Sequence, residues 1–161
     1  MGQQLRIKKT HPNAIIPERA SDGAAAVDLY VALDEPVLIM PGEIKAVSTG
    51  IAIELPSSDT VALIISRSSL GYKNGVSLVN SVGVIDSDYR GTLNLCLINH
   101  SDTPFRIENG DRLAQLLVTN ALPFTIVETD MLSDTARGEK GFGSTGKKEI
   151  LSDIAVKERL Q

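Results

Sequence analysis

The sequence predicts an all-β fold, a sandwich or barrel of short strands followed by a glycine-rich arm. Three observations lead there. Short apolar runs rich in β-branched residues recur from residue 27 to residue 127, and turn residues cut most of them apart. No stretch between them offers a helical crossover long enough for a βαβ unit. From Met131 the composition becomes polar and glycine-rich, too poor in apolar side chains to build core.

The elements follow in order. Val27-Asp-Leu-Tyr-Val-Ala32 alternates in the period of a half-buried strand. Pro36 to Met40 forms a second run, stopped by the Pro41-Gly42 turn. Glu43 to Leu55 is the longest run and ends at Pro56. Val61–Ile65, Val76–Val79, Leu93–Ile98, Leu113–Val118 and Phe124–Val127 complete the predicted strands. Helix is predicted at two places only. One is a single turn after Ser68, and the other is the tail from Lys148, where Ile150, Leu151 and Ile154 fall at helical spacing. The predicted organisation is one β domain over 1–130, an arm over 131–146, and an extension over 147–161 that is either helical or disordered.

Composition narrows the function. The 161 residues suit one domain with a real core. Hydrophobic residues at 42% and charged residues at 22% match an ordinary globular protein. Twenty acidic against 16 basic side chains give a net charge of −4, which argues against direct nucleic-acid binding. No run approaches the roughly 18 apolar residues of a membrane span. The opening residues Met1 to Arg6 lack the apolar stretch of a secretion signal, and Arg6 stands where myristoylation requires Ser or Thr. The expected setting is the cytoplasm. The single cysteine, Cys96, excludes an intrachain disulfide, a CxxC pair and a cysteine zinc cluster. His11 and His100 stand alone, so a histidine metal site and a Ser-His-Asp triad are disfavoured. Chemistry in this chain therefore rests on carboxylates, arginines, hydroxyls and backbone amides.

Four segments carry such groups. Gly141-Phe-Gly-Ser-Thr-Gly146 spells the dinucleotide pattern GxGxxG, and Gly141 to Lys147 nearly spells a P-loop. Both motifs need a preceding strand and a surrounding βαβ unit. Here a polar arm precedes and only 15 residues follow, so neither reading holds. What survives is a stretch of backbone N–H groups and hydroxyls suited to phosphate, with Arg137 and Lys140 nearby and Phe142 as a flat apolar face. Gly83-Val-Ile-Asp86-Ser-Asp88-Tyr89-Arg90-Gly91 places acids, an aromatic and an arginine at the end of an apolar run. A carboxylate there can take a proton from water or help hold magnesium, although an Asp-Ser-Asp turn is more often merely a polar turn. Arg67-Ser68-Ser69-Leu-Gly71 puts hydroxyls and amides at a helix start, an anion site in chemistry and a plain serine cap otherwise. Asn109-Gly-Asp-Arg112-Leu-Ala-Gln115, read alone, is a hairpin.

Together with Gly23–Tyr30, these four segments resemble the five ordered motifs of the trimeric dUTP pyrophosphatases (dUTPases). The first is similar to Gly23-Ala-Ala-Ala-Val-Asp28-Leu-Tyr30 and the second to Arg67 through Gly71. The third spans Asn80 to Gly91, the fourth Gly110 to Gln115, and the fifth Arg137 to Gly146. The resemblance covers residues 5–146 and implies a dUTPase-like β-barrel of jelly-roll type. It implies hydrolysis of dUTP to dUMP and pyrophosphate by water attack on the α-phosphorus. Such a reaction limits uracil incorporation into DNA and supplies dUMP for thymidylate synthesis.

The resemblance also implies roles. Asp86 would orient and activate the water, and Tyr89 would pack under the deoxyribose, where a 2′-hydroxyl collides. A hairpin around Asn80, Gly83, Val84 and Ile85 would read uracil, largely through backbone groups. Cytosine reverses uracil's donor and acceptor order and would leave such buried groups unpaired. Arg67, Ser68, Ser69 and Gln115 would hold the phosphate chain. Arg137, Ser144 and Thr145, with Gly143 among them, would close on its γ end, and Phe142 would cover the base. Magnesium is the implied cofactor, reached by Asp28 through metal-bound water. A triphosphate carries close to four negative charges, which suits a metal and several arginines. The implied assembly is a homotrimer whose sites combine motifs of neighbouring subunits. Thr92, Ser69 and the extension Lys147–Gln161 depart from the usual family pattern.

Two alternatives stand beside this reading. The dCTP deaminases resemble dUTPases in fold, but their catalytic glutamate would fall at Cys96, which cannot transfer that proton. A silent nucleotide-binding protein of the same fold would have no need of Asp86.

Overall fold

The computed structural model describes residues 4–141. Ten strands and one helix follow in order: β1 Arg6–Lys9, β2 Val27–Tyr30, β3 Val37–Ile39, β4 Ile44–Glu54, β5 Thr60–Ser66, α1 Ser68–Asn74, β6 Val76–Leu78, β7 Val82–Ile85, β8 Thr92–Asn99, β9 Phe105–Ile107 and β10 Arg112–Asn120. One sheet runs β1-β4-β8-β6 and a second β2-β10-β5-β7, while β3 and β9 form a separate ribbon. Every pairing is antiparallel.

The alternation in the sequence explains the layering. In β8, Leu93, Leu95 and Leu97 are buried while Asn94 and Cys96 face out. Leu29, Ile64 and Leu116 from the second sheet meet Ile51, Ile53 and the β8 leucines in one core, closed by Ile39 and Ile107 of the ribbon. Fully burying a side chain of this size contributes about 1.5–3 kcal/mol. The buried Asn99 ties the layers together. Its Nδ2 donates to the carbonyls of Ile39 (3.0 Å) and Thr103 (2.8 Å), and its Oδ1 accepts from Ser101. All of its polar atoms are thereby satisfied, which burial of an amide requires.

A bulge kinks β4, its register slipping between Ser48 and Ala52. Gly50 makes it possible, at φ 67°. A Cβ there would stand 2.6 Å from Ala32 Cβ and 2.8 Å from His11 Cβ, so only glycine fits.

The helix after Ser68 forms and runs for seven residues, ended by Gly75 in the left-handed conformation. β1 and β9 appear where no strand was predicted, and β7 where only an apolar run leading into Asp86 was read. β1 is polar apart from Ile7, and β9 spans three residues directly after Pro104, so neither presents an apolar run. The expected hairpin around Asn80–Val84 is not one: β6 pairs with β8 and β7 with β5, in different sheets. Residues 79–81 instead carry the chain between the two sheets.

The expected strand Phe124–Val127 does not form in the described residues. Its backbone finds no partner strand, and Phe124, Ile126 and Val127 are 81%, 87% and 76% exposed. The chain divides into two compact units, Met1–Phe124 and Thr125–Gln161. The helix predicted from Lys148 lies outside the described residues. Among the described residues, no helix is long and apolar enough to cross a membrane.

Candidate active site

The second sheet builds an anion site from its two neighbouring strand pairs. β10 lies between β2 and β5, with Gln115 opposite Asp28 on one side and Ile65 on the other. Arg67 follows directly on β5, so it reaches across the same strand end. Asp28 thus accepts hydrogen bonds from Gln115 Nε2 at 3.2 Å and Arg112 Nη1 at 3.1 Å, and forms an ion pair with Arg67, whose Nε stands 3.2 Å from Oδ1. Its side chain is only 14% exposed, so the carboxylate is an internal anchor for two guanidiniums. Arg67 Nη1 also donates to the Arg112 carbonyl at 2.8 Å, fixing the guanidinium plane.

Two arginines around one carboxylate leave one surplus positive charge. It faces a cavity of about 510 Å³ lined by Arg67, Ser69, Arg106, Asp111 and Arg112, with Leu70 and Leu113 as its apolar floor. Ser68 and Ser69 are exposed at the start of α1, where Arg67 occupies the cap position and no side chain caps the helix. The Leu70 amide donates to the Arg67 carbonyl at 3.1 Å, so of the first turn the Ser68 and Ser69 amides stay available to an oxygen ligand.

β7 builds the other part. Asp86 follows its last residue and is exposed. The Tyr89 amide donates to the Asp86 carbonyl at 3.2 Å, closing a turn. Arg90 Nη1 clamps that turn through the carbonyls of Ser87 (2.8 Å) and Tyr89 (2.9 Å). The Tyr89 hydroxyl donates to the Thr92 carbonyl at 3.3 Å, and the ring lies across Gly91. A Cβ at position 91 would stand 2.5 Å from Tyr89 Cζ, so glycine there gives the ring its seat. A cavity of about 220 Å³ is lined by Val84, Ile85, Asp86, Tyr89, Thr92, Leu93 and Asn94. Asn80 is placed beside β7, its Nδ2 3.7 Å from where a Cβ on Gly83 would be.

The expected residues therefore fall into two groups. Asp28, Arg67, Ser69 and Gln115 come together at the anion site, with Ser68 at the adjoining helix start; Val84, Ile85, Asp86 and Tyr89 come together at β7, with Asn80 and Gly83 at its entry. The two cavities share no lining residue. Arg137 lies in the second unit, where its Nε donates to the Lys140 carbonyl at 2.9 Å beside the Thr135–Gly138 turn. Phe142, Gly143, Ser144 and Thr145 lie outside the described residues.

Arg112 was missing from the expected phosphate ligands. In a regular strand, residues 112 and 115 point to opposite faces. The register of β10 shifts between Arg112 and Ala114, and this irregularity lets both side chains reach Asp28. Cys96 is exposed on β8, paired in register with Ala46 and outside both cavities.

Among the described residues, no group of three or more His, Cys, Asp or Glu side chains could cage a metal ion. Asp28 fits a hydrated magnesium ion in a narrower way. A carboxylate offers about four acceptor positions, and one on each oxygen is taken by a hydrogen bond, from Gln115 at Oδ1 and Arg112 at Oδ2, while the Arg67 guanidinium crowds Oδ1 at 3.2 Å. The position left on Oδ2 suits a metal-bound water, and magnesium commonly keeps several waters beside substrate phosphates.

Comparison with known proteins agrees with this geometry. A family model described as dUTPase matches residues 12–146. The deoxyuridine 5′-triphosphate nucleotidohydrolase of Picosynechococcus is 45% identical over 142 residues, covering 88% of this chain and 98% of that protein. Its counterpart from Nautilia profundicola is 44% identical over 144 residues, covering 89% and 99%. The solved structure of the Staphylococcus bacteriophage 80alpha dUTPase with dUPNHPP superposes with a TM-score of 0.82 at 28% identity, covering 90% of this chain and 99% of that one. With its motifs in order and its whole β core matched, the chain belongs to the dUTPase family.

Proposed function

We propose that this chain hydrolyses dUTP to dUMP and pyrophosphate by water attack on the α-phosphorus, at sites shared between the subunits of a homotrimer. The reaction is the one its family members are named for, and the two cavities supply the groups it needs. The triphosphate lies against Arg67, Arg112, Ser68, Ser69 and Gln115, where the surplus positive charge and free amides meet its negative oxygens. Asp28 would hold a hydrated magnesium ion through one of its waters, and the ion would supply further neutralisation of the phosphate charge. Asp86 accepts the proton of the attacking water, a task that suits an exposed carboxylate with no ion pair among the described residues. Tyr89 stacks beneath the deoxyribose. Asn80, Gly83, Val84 and Ile85 read the base, and Arg137, Phe142, Gly143, Ser144 and Thr145 close over the ligand.

The shared site rests on one observation: Asp86 and Arg67 line separate cavities of the same chain. One α-phosphorus must sit against both residue types, and a closed ring of identical interfaces brings them together from neighbouring copies. Asp86→Asn and Arg67→Ala, each inactive alone, test this when refolded together in equal amounts. A site needs intact Asp86 from one subunit and intact Arg67 from the next, so about a quarter of wild-type activity returns in a statistical mixture. No recovery would place both residues on one subunit and overturn the shared site.

A further inference from the structure

Ser81 stands out in backbone conformation. It is the one non-glycine residue with positive φ among the described residues, at 61°, while Gly42, Gly50, Gly75, Gly110 and Gly138 hold the other positive values. Left-handed backbone crowds a Cβ, so a serine there needs something to keep it in place. Two short-range bonds do so. The Val82 amide donates to the Asn80 carbonyl at 2.6 Å across Ser81, and the Ser81 amide donates to the Leu78 carbonyl at 3.2 Å. The first closes a three-residue γ-turn of the rare, positive-φ kind.

The turn is placed where it has consequences. Leu78 ends β6 in one sheet and Val82 begins β7 in the other, so three residues make the whole passage. The reversal at Ser81 folds Asn80 back over β7. Its Nδ2 would lie 3.7 Å from a Cβ on Gly83, and that Cβ would lie 3.3 Å from Ile64 Cβ. Ile64, the register partner of Gly83 on β5, and the Asn80 amide thus both crowd the side of Gly83 on which a Cβ would project. Asn80 and Ser81 are both exposed, so core packing does not dictate their conformation.

We infer that Ser81 is a positioning residue for base selection: its left-handed γ-turn holds the Asn80 amide over Gly83 in the geometry that reads uracil. This rests on the proposal that Asn80 to Ile85 form the base-reading segment. Serine serves better than glycine here because it samples fewer other conformations once the turn is closed. Residues that tolerate positive φ, such as asparagine, preserve the device, whereas a β-branched residue does not.

Ser81→Thr keeps the hydroxyl and adds the branch; Ser81→Asn removes the hydroxyl and keeps the conformation. Pyrophosphate release from dUTP and dCTP, with thermal denaturation alongside, separates the two. In Ser81→Thr, KM for dUTP rises about tenfold or more with kcat within about threefold, the pattern of lost uniform binding. The preference for dUTP over dCTP falls by about the same factor. Ser81→Asn lies within about threefold of wild type in both readouts. Three results overturn the inference: a Ser81→Thr enzyme with wild-type KM and selectivity, a Ser81→Asn enzyme as impaired as Ser81→Thr, or unfolding of Ser81→Thr, because the turn lies outside the core. A wild-type chain that fails to release pyrophosphate from dUTP would instead overturn the functional reading beneath it.

Discussion

Asp86→Asn lowers kcat for dUTP by about 10²–10⁴-fold while KM stays within about threefold, the signature of a lost general base. The contrast with Asp28 explains why. Asp28 is nearly buried and held by Arg67, Arg112 and Gln115, so its charge is committed to organising cations. Asp86 stands exposed at the end of β7, beside a cavity and with no ion pair among the described residues. One carboxylate is an anchor and the other is free to accept a proton. Asparagine matches the shape of Asp86 and can orient a water, but it cannot take the proton at neutral pH. Steady-state pyrophosphate release together with calorimetric binding of a non-hydrolysable dUTP analogue checks both halves. Turnover at the wild-type rate would remove Asp86 from the chemistry.

Deleting residues 137–161 leaves a folded assembly whose kcat/KM for dUTP is lower by about 10²-fold or more, the order of effect seen when an arginine or oxyanion donor is withdrawn from transition-state charge. Among the described residues the entire buried core cluster belongs to Leu116 and the residues before it, so the core does not draw on residues 137–141. What it removes is Arg137, Phe142 and the glycine-rich hydroxyls and amides beyond. Size-exclusion chromatography and thermal denaturation should match the full chain, while activity falls. An undiminished rate in the shortened chain would show that the arm does not close on the substrate.

The sequence made some of this architecture readable and concealed the rest for physical reasons. β4, β5, β8 and β10 are long apolar runs rich in β-branched residues, so their existence followed from composition and spacing alone. β1 and β9 owe their place to partners, β4 and β3, that only the folded chain brings near. Phe124–Val127 shows the converse, since apolar composition cannot make a strand without a partner. In the site, Asp28, Arg67, Gln115, Asp86 and Tyr89 were legible because each stands at a fixed offset within a motif. Arg112 was not, because a bulge in β10 turns it to the face that alternation denies it. Ser81 was hidden for a related reason: nothing in a serine announces a positive φ. Local alternation is written in residue order, whereas bulges, γ-turns and the pairing of distant strands are settled by the whole fold.

The most direct measurement is pyrophosphate release with Mg²⁺ from dUTP, run beside dTTP, dCTP and UTP. Rapid release from dUTP, with dUMP as the other product and the three competitors left nearly intact, is the predicted result. Release from all four nucleotides at similar rates, or binding of dUTP without turnover, would contradict it.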